Sequence, residues 1–300
     1  MSPAYSSRRS TLSGAACLFG CAGTAHARTA GSKFACVDLT ANPTVTLSPQ
    51  EQETHCILLL AAMALVFDNW GVDRRRPEQV AAYAAAEPGR RFQDYLGHNI
   101  GALLVDRAST IVCFALNRNV QLNSTLEHAE ARAVRDAIQI ANAAHPPSDG
   151  PAWSFTSLLQ GNRLYATLEP CAQCSGIMEL ANLGSVIYGQ DDPGQHHVAN
   201  VLYNLNNRTD APLPIRATFQ PLWNDLASAY RRFLADAPPA SRTGLTSFLA
   251  TVAAYRIYRQ AATTFATMQV RHAENAAILR DARAFRDQWR DRTQSGAVPD

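Results

Sequence analysis

Lysine is nearly missing from this chain of 300 residues: Lys33 stands alone, and every other cationic side chain is arginine. We read that bias as genome composition. The formal net charge is only +2, and loss of a segment carrying Arg8 and Arg9 would bring acids and bases into balance. Affinity for a long polyanion comes largely from clustered Lys and Arg, so composition gives no nucleic-acid signature and fits a small ligand better. Long apolar runs are also missing. The densest, residues 57–67, is shorter than the roughly 20 residues of a membrane-spanning helix. Hydrophobic residues at 47% and charged ones at 17% exclude a disordered, collagen-like or coiled-coil chain. The length allows one domain of about 150 to 200 residues with attachments.

What is there begins with an ordered N-terminus. Arg8 and Arg9 precede a weakly apolar stretch, which leads to Ala25-His26-Ala27, a small-x-small cleavage pattern. Residues 1–27 are therefore expected to be an export signal of twin-arginine type, although Thr11 stands where such signals usually have Phe. A competing reading makes Leu18-Phe19-Gly20 lead to a lipidated Cys21. Either way the protein is expected to be periplasmic or secreted, with 28–47 as a linker. Cleavage after Ala27 leaves five cysteines, Cys36, Cys56, Cys113, Cys171 and Cys174, and an odd number makes no disulfide framework. Cys36 and Cys56 could bridge, and Cys113 reads as a core residue.

Ser48-Pro49-Gln50-Glu51 predicts a helix start, and Ile57, Leu60, Ala61, Ala64 and Leu65 continue it at helical spacing to about residue 69, where Gly71 ends it. Residues 73–98, rich in Arg and Ala, read as an insertion holding one short helix at 78–86. Two apolar runs, 101–105 and 111–116, predict a buried hairpin. A helix over 126–142, a strand over 164–168, a helix over 170–183 and a strand over 185–188 follow, with a further strand at 215–219. Alternation of this kind predicts an α/β sandwich. Residues 48–220 form the expected domain. Residues 221–300 read as a helical extension whose interleaved Arg and Asp form a solvated face.

Two motifs carry the chemistry: His128-Ala129-Glu130 and Glu169-Pro170-Cys171-Ala172-Gln173-Cys174. Cys171 and Cys174, three apart in the first turn of a helix opened by Pro170, point to one spot. The helix start favours their thiolates. Two thiolates balance the charge of one Zn²⁺ per chain, His128 supplies a third ligand, and the fourth tetrahedral position stays open, as in catalytic sites. A Cys₂His site has no electrostatic need of another carboxylate. Glu130 is therefore the candidate proton carrier.

Residues 164–192, LYATLEPCAQCSGIMELANLGSVIYGQDD, resemble the tRNA adenosine, guanine and cytosine deaminase branch of the cytidine deaminase-like superfamily, with similarity over roughly 48–220. The pairing of His-x-Glu with Pro-Cys-x-x-Cys is the signature of zinc deaminases acting on nucleobases. This resemblance implies a three-layer α/β/α sandwich on a mixed five-stranded sheet and a homodimer that helps shape the site. It also implies substrate contacts from the Asn117 side chain and the Ala129 backbone N–H. The export signal, the 73–98 insertion, the long connection at 143–161 and the helical tail depart from the branch and put its substrate in doubt.

Other residues have two readings. Glu169 receives a substrate N–H or caps the cysteine-bearing helix. His196 and His197 touch substrate from a loop or are a surface pair. Trp153 and Phe155 stack on a heterocycle or cover a core edge. The expected reaction is hydrolytic deamination of a base, nucleoside or related amino-heterocycle. The alternatives are a polynucleotide deaminase or toxin, and a non-catalytic zinc scaffold, for which Cys113, His196 and His197 are the available fourth ligands.

Overall fold

Ser48 opens the first helix with a reciprocal cap. Its hydroxyl accepts the Glu51 N–H at 3.2 Å, and the Glu51 carboxylate accepts the Ser48 N–H at 2.8 Å. This helix, α1, runs Pro49–Asp68. The computed structural model describes residues 38–144, 157–206, 211–236 and 244–294. The proposed export signal, Cys21, Cys36, Trp153 and Phe155 lie outside them.

In chain order α1 is followed by β1 (Gly71–Val72), α2 (Pro77–Ala86), β2 (Gln93–Asp94), β3 (Gly101–Val105), β4 (Ile111–Leu116), α3 (Ala129–Ala144), β5 (Arg163–Ala166), α4 (Ala172–Leu180), β6 (Ser185–Tyr188), α5 (Val198–Leu205) and β7 (Leu213–Arg216). Four helices come last: α6 (Trp223–Asp236), α7 (Leu245–Phe248), α8 (Val252–Thr267) and α9 (Ala276–Gln294). The main sheet has the order β4-β3-β5-β6-β7. β3 is antiparallel to both β4 and β5, while β5, β6 and β7 are parallel. The sheet is mixed and five-stranded, as expected. α1 covers one face, and α3, α4 and α5 pack on the other.

The sequence differs from the structure in several places. Gly71 does not simply end α1. It begins β1, which pairs in parallel with β2, so 73–98 is tied to the body of the protein. Trp70 Nε1 donates to Tyr83 Oη at 3.0 Å, and Tyr83 Oη donates to the Ala250 carbonyl at 3.0 Å. The helix expected over 126–142 starts only at Ala129. The strand expected at 215–219 is Leu213–Arg216, because Thr218 N bonds back to Arg216 O in a turn. Helix α5 was not foreseen from sequence.

The largest difference concerns α1. Its spacing predicts one apolar face, yet every residue from 57 to 66 is at most 1% exposed. The sheet takes one side, and α8 and α9 take the other. A helix covered all round can be apolar all round. The tail is therefore a further layer on the domain, and its arginines do not all face solvent. Arg283 donates to the Phe265 and Met268 carbonyls at the end of α8, and Arg286 pairs with Asp68. No helix among the described residues is long and apolar enough to cross a membrane.

Candidate metal centre

Strand direction assembles the site. β4 and β5 point the same way, on either side of the opposed β3. The segments leaving their carboxyl ends therefore emerge at one sheet edge, where open α/β sheets place their ligands. The segment after β4 carries Asn117 and reaches His128, one residue before α3. The segment after β5 carries Glu169 and reaches Cys171.

Helix α4 begins at Ala172, later than the sequence predicts. Cys171 is its N-cap, with extended backbone (φ −73°, ψ 176°), and Cys174 lies in the first turn. Extension through the cap turns the Cys171 side chain back toward Cys174. The two Sγ atoms are 3.6 Å apart, and His128 Nδ1 lies 3.4 Å from Cys171 Sγ and 3.6 Å from Cys174 Sγ. Zinc bonds of about 2.3 Å to sulfur and 2.0–2.1 Å to nitrogen, at tetrahedral angles, give edges of about 3.8 Å (S to S) and about 3.6 Å (S to N). The donor triangle therefore fits zinc in both chemistry and size. Among the described residues Cys113 is no fourth ligand: its Sγ donates to the Ala133 carbonyl at 3.2 Å, inside the core.

Hydrogen bonding from Cys174 and His128 lowers the pKa of the Cys171 thiol. The same contact, with burial, pushes the Cys174 thiol up, so the local geometry favours the thiolate on Cys171. Glu130 stands in the first turn of α3, only 4% exposed and in hydrogen-bond contact with Cys174. Burial pushes its carboxyl up to about 7, with the charge of Cys171 adding and His128 opposing. Ala129, the first residue of α3, is fully buried. Its N–H belongs to the helix-start amides that lack an intrahelical partner.

Asn117 is buried, and its Oδ1 accepts the Asn119 N–H at 3.1 Å. Glu169 does not cap α4. Its carboxylate accepts the Asp192 N–H at 2.7 Å and faces His197 Nδ1 at 3.1 Å, tying down the loop after β6. His196 is exposed, and its neighbour His197 makes the inward contact. That loop also carries Asp191, which is paired with Arg216. Sequence reasoning overlooked Tyr95 and His98 as well, since both fell in the stretch read as an insertion. A Gly-His-Asn triplet directly before a buried strand was the available signal.

A mixed sheet that brings one imidazole and two thiols to a point, with a buried acid alongside, defines a zinc-dependent hydrolytic enzyme of the His/Cys/Cys kind. Residues 76–190 match the cytidine and deoxycytidylate deaminase zinc-binding region. These residues thus carry the signature of a zinc-type deaminase domain. The tRNA-specific adenosine deaminase of Rickettsia bellii (strain RML369-C) is 28% identical over 110 residues, which are 36% of this chain and 67% of that protein. That of Aquifex aeolicus (strain VF5) is 30% identical over 110 residues, 37% of this chain and 64% of that protein. The chain thus spans about two thirds of these relatives' length. Among solved structures, a tRNA:A34 deaminase aligns with a TM-score of 0.33 at 23% identity, covering 49% of this chain and 91% of that one. The guanine deaminase of Nitrosomonas europaea aligns with a TM-score of 0.33 at 15% identity, covering 80% and 100%.

Proposed function

We propose that this protein hydrolytically deaminates a small amino-heterocycle, a free base, nucleoside or related ring. Water replaces the exocyclic amine, the ring carbon gains a carbonyl oxygen, and ammonia leaves. His128, Cys171 and Cys174 are the residues that hold zinc, which supplies an acidified water at neutral pH. Glu130 takes the proton from water and passes it to the departing nitrogen. A carboxyl shifted into the neutral range suits both halves of that transfer. Asn117 and the Ala129 N–H orient the ring. Glu169 holds the wall formed by the loop after β6. The single observation that carries this reading is the buried Glu130 carboxyl against a donor triangle of zinc dimensions.

The test is ammonia release from a panel of bases, nucleosides and nucleotides. Glu130→Gln should lose at least about a hundredfold in kcat while keeping its zinc. A protein that releases no ammonia before or after the change is a scaffold.

A second reading, a polynucleotide substrate, is favoured by the similarity to tRNA-specific adenosine deaminases. Against it stands the acidity of the loop after β6. Asp191 occupies Arg216, and Asp192 lies close enough to Cys171 to feel its charge. Turnover of tRNA or single-stranded DNA at rates above those of small rings would reverse our preference. Export and homodimer formation belong to the same proposal. A reporter fused to residues 1–27 that stays cytoplasmic, or a single-chain mass in solution, would remove them.

A further inference from the structure

The metal-bearing edge of the sheet receives one more segment than the two motifs account for. Because β3 runs against β4 and β5, the residues just before Gly101 lie at the same edge as those just after Leu116 and Ala166. Strand direction alone therefore brings His98 beside Asn117 and the segment leading to Cys171.

The approach is close. A Cβ on Gly97 would lie 2.4 Å from the Asn117 carbonyl oxygen and 2.7 Å from Asn117 Oδ1, so the backbones meet there with no room for a side chain. The Leu96 carbonyl accepts the N–H groups of Val120 and Gln121 at 3.1 and 2.7 Å. Asn99 Oδ1 accepts the Gly71 N–H at 2.9 Å, and its Nδ2 donates to the Leu249 carbonyl at 3.1 Å. With both flanks fixed, the half-buried His98 ring has a defined place near His128.

The ring's orientation is fixed too. Tyr95 Oη and His98 Nδ1 are 2.9 Å apart, and the hydroxyl has no other protein hydrogen-bond partner among the described residues. Where the hydroxyl donates to Nδ1, the neutral imidazole keeps its proton on Nε2. Burial lowers the pKa of His98 and supports that neutral form.

We propose that His98 is a specificity-determining residue of this site: Tyr95 locks it as the Nε2–H tautomer, and that N–H donates to an acceptor, a ring nitrogen or carbonyl oxygen, on the bound heterocycle. The proposal rests on the deaminase reading above. It adds that the preferred ring presents an acceptor to this wall besides those used by Asn117 and Ala129.

Two measurements test it. Nitrogen-15 NMR of the histidine rings in the zinc-loaded protein at neutral pH should show His98 as the Nε2–H tautomer, and Tyr95→Phe should give a mixture of tautomers. On the most active ring among adenine, guanine, cytosine and their nucleosides, His98→Leu should raise KM about tenfold with kcat within about threefold and zinc content unchanged. His98→Gln, which retains an N–H donor, should recover most of that loss. An Nδ1–H tautomer in the native protein overturns the proposal, as does a His98→Leu variant that keeps its KM or that Gln does not rescue. If no ring releases ammonia, the deaminase reading falls, while the tautomer measurement still decides whether Tyr95 fixes His98.

Discussion

Arg286 grips Asp68 through two hydrogen bonds of 2.7 and 2.9 Å, joining the last helix to the end of the first across 218 residues of sequence. Both side chains are only 12% exposed. Taking away Asp68 leaves the nearly buried Arg286 charge without its carboxylate. Asp68→Leu should cost about 3 kcal/mol, read as a lower urea midpoint with an unchanged slope, and Arg286→Met less, because Arg290 still lies 4.0 Å from the Asp68 carboxylate. The double variant should lose less than the sum, because neither charge is then stranded.

Gly97 is predicted to be intolerant of any side chain. Gly97→Ala would press a methyl group into the Asn117 backbone, at a cost of about 1–3 kcal/mol. The strain falls on Asn117, proposed above to orient the ring, and not on the metal donors. Zinc content, measured by elemental analysis, should therefore hold while ammonia release falls.

His55 gives stability a pH dependence. It lies buried on α1 with Nδ1 at 2.8 Å from the Tyr165 hydroxyl, and burial, aided by the charge of Arg163, lowers its pKa from 6.5 to about 4. Between those values the unfolded chain binds a proton that the native protein refuses. Stability from this residue is complete above about pH 6.5 and drains away as the pH falls toward 4, by about 3 kcal/mol in all. Urea midpoints followed over this window should drop with acid. His55→Gln, which leaves the tyrosine hydroxyl a partner, should flatten that slope.

Metal removal should separate the three donors from the acid beside them. His128→Ala, Cys171→Ala and Cys174→Ala should each reduce zinc from about one per chain to below about a tenth, whereas Glu130→Gln should retain it. Binding to the native state alone stabilises that state. The three donor variants should therefore also melt at lower temperature than the zinc-loaded protein, and a chelator should bring the unaltered protein down to match them.

The donor set was legible because its information is local. Pro-Cys-x-x-Cys and His-x-Glu each span a few residues at the start of a helix, and the cap at Ser48 is equally short-range. The position of His98 was not legible. It depends on the antiparallel direction of β3, a fact about pairing between distant strands that no window around residue 98 contains. For the same reason the anchoring of Glu169 was not legible: its partners at Asp192 and His197 are more than twenty residues away. The apolar run in α1 was visible, but its explanation lay in helices beginning near residue 252.

The enclosure of α1 also bears on how such chains can change over time. A chain stopping near Phe219 would display an oily cylinder to water and should clump instead of folding. Conversely, a cousin without the outer helices must carry polar residues along the back of its first helix. The letters at positions 57 to 66 thus record, at the opposite end of the chain, whether the extra layer is present.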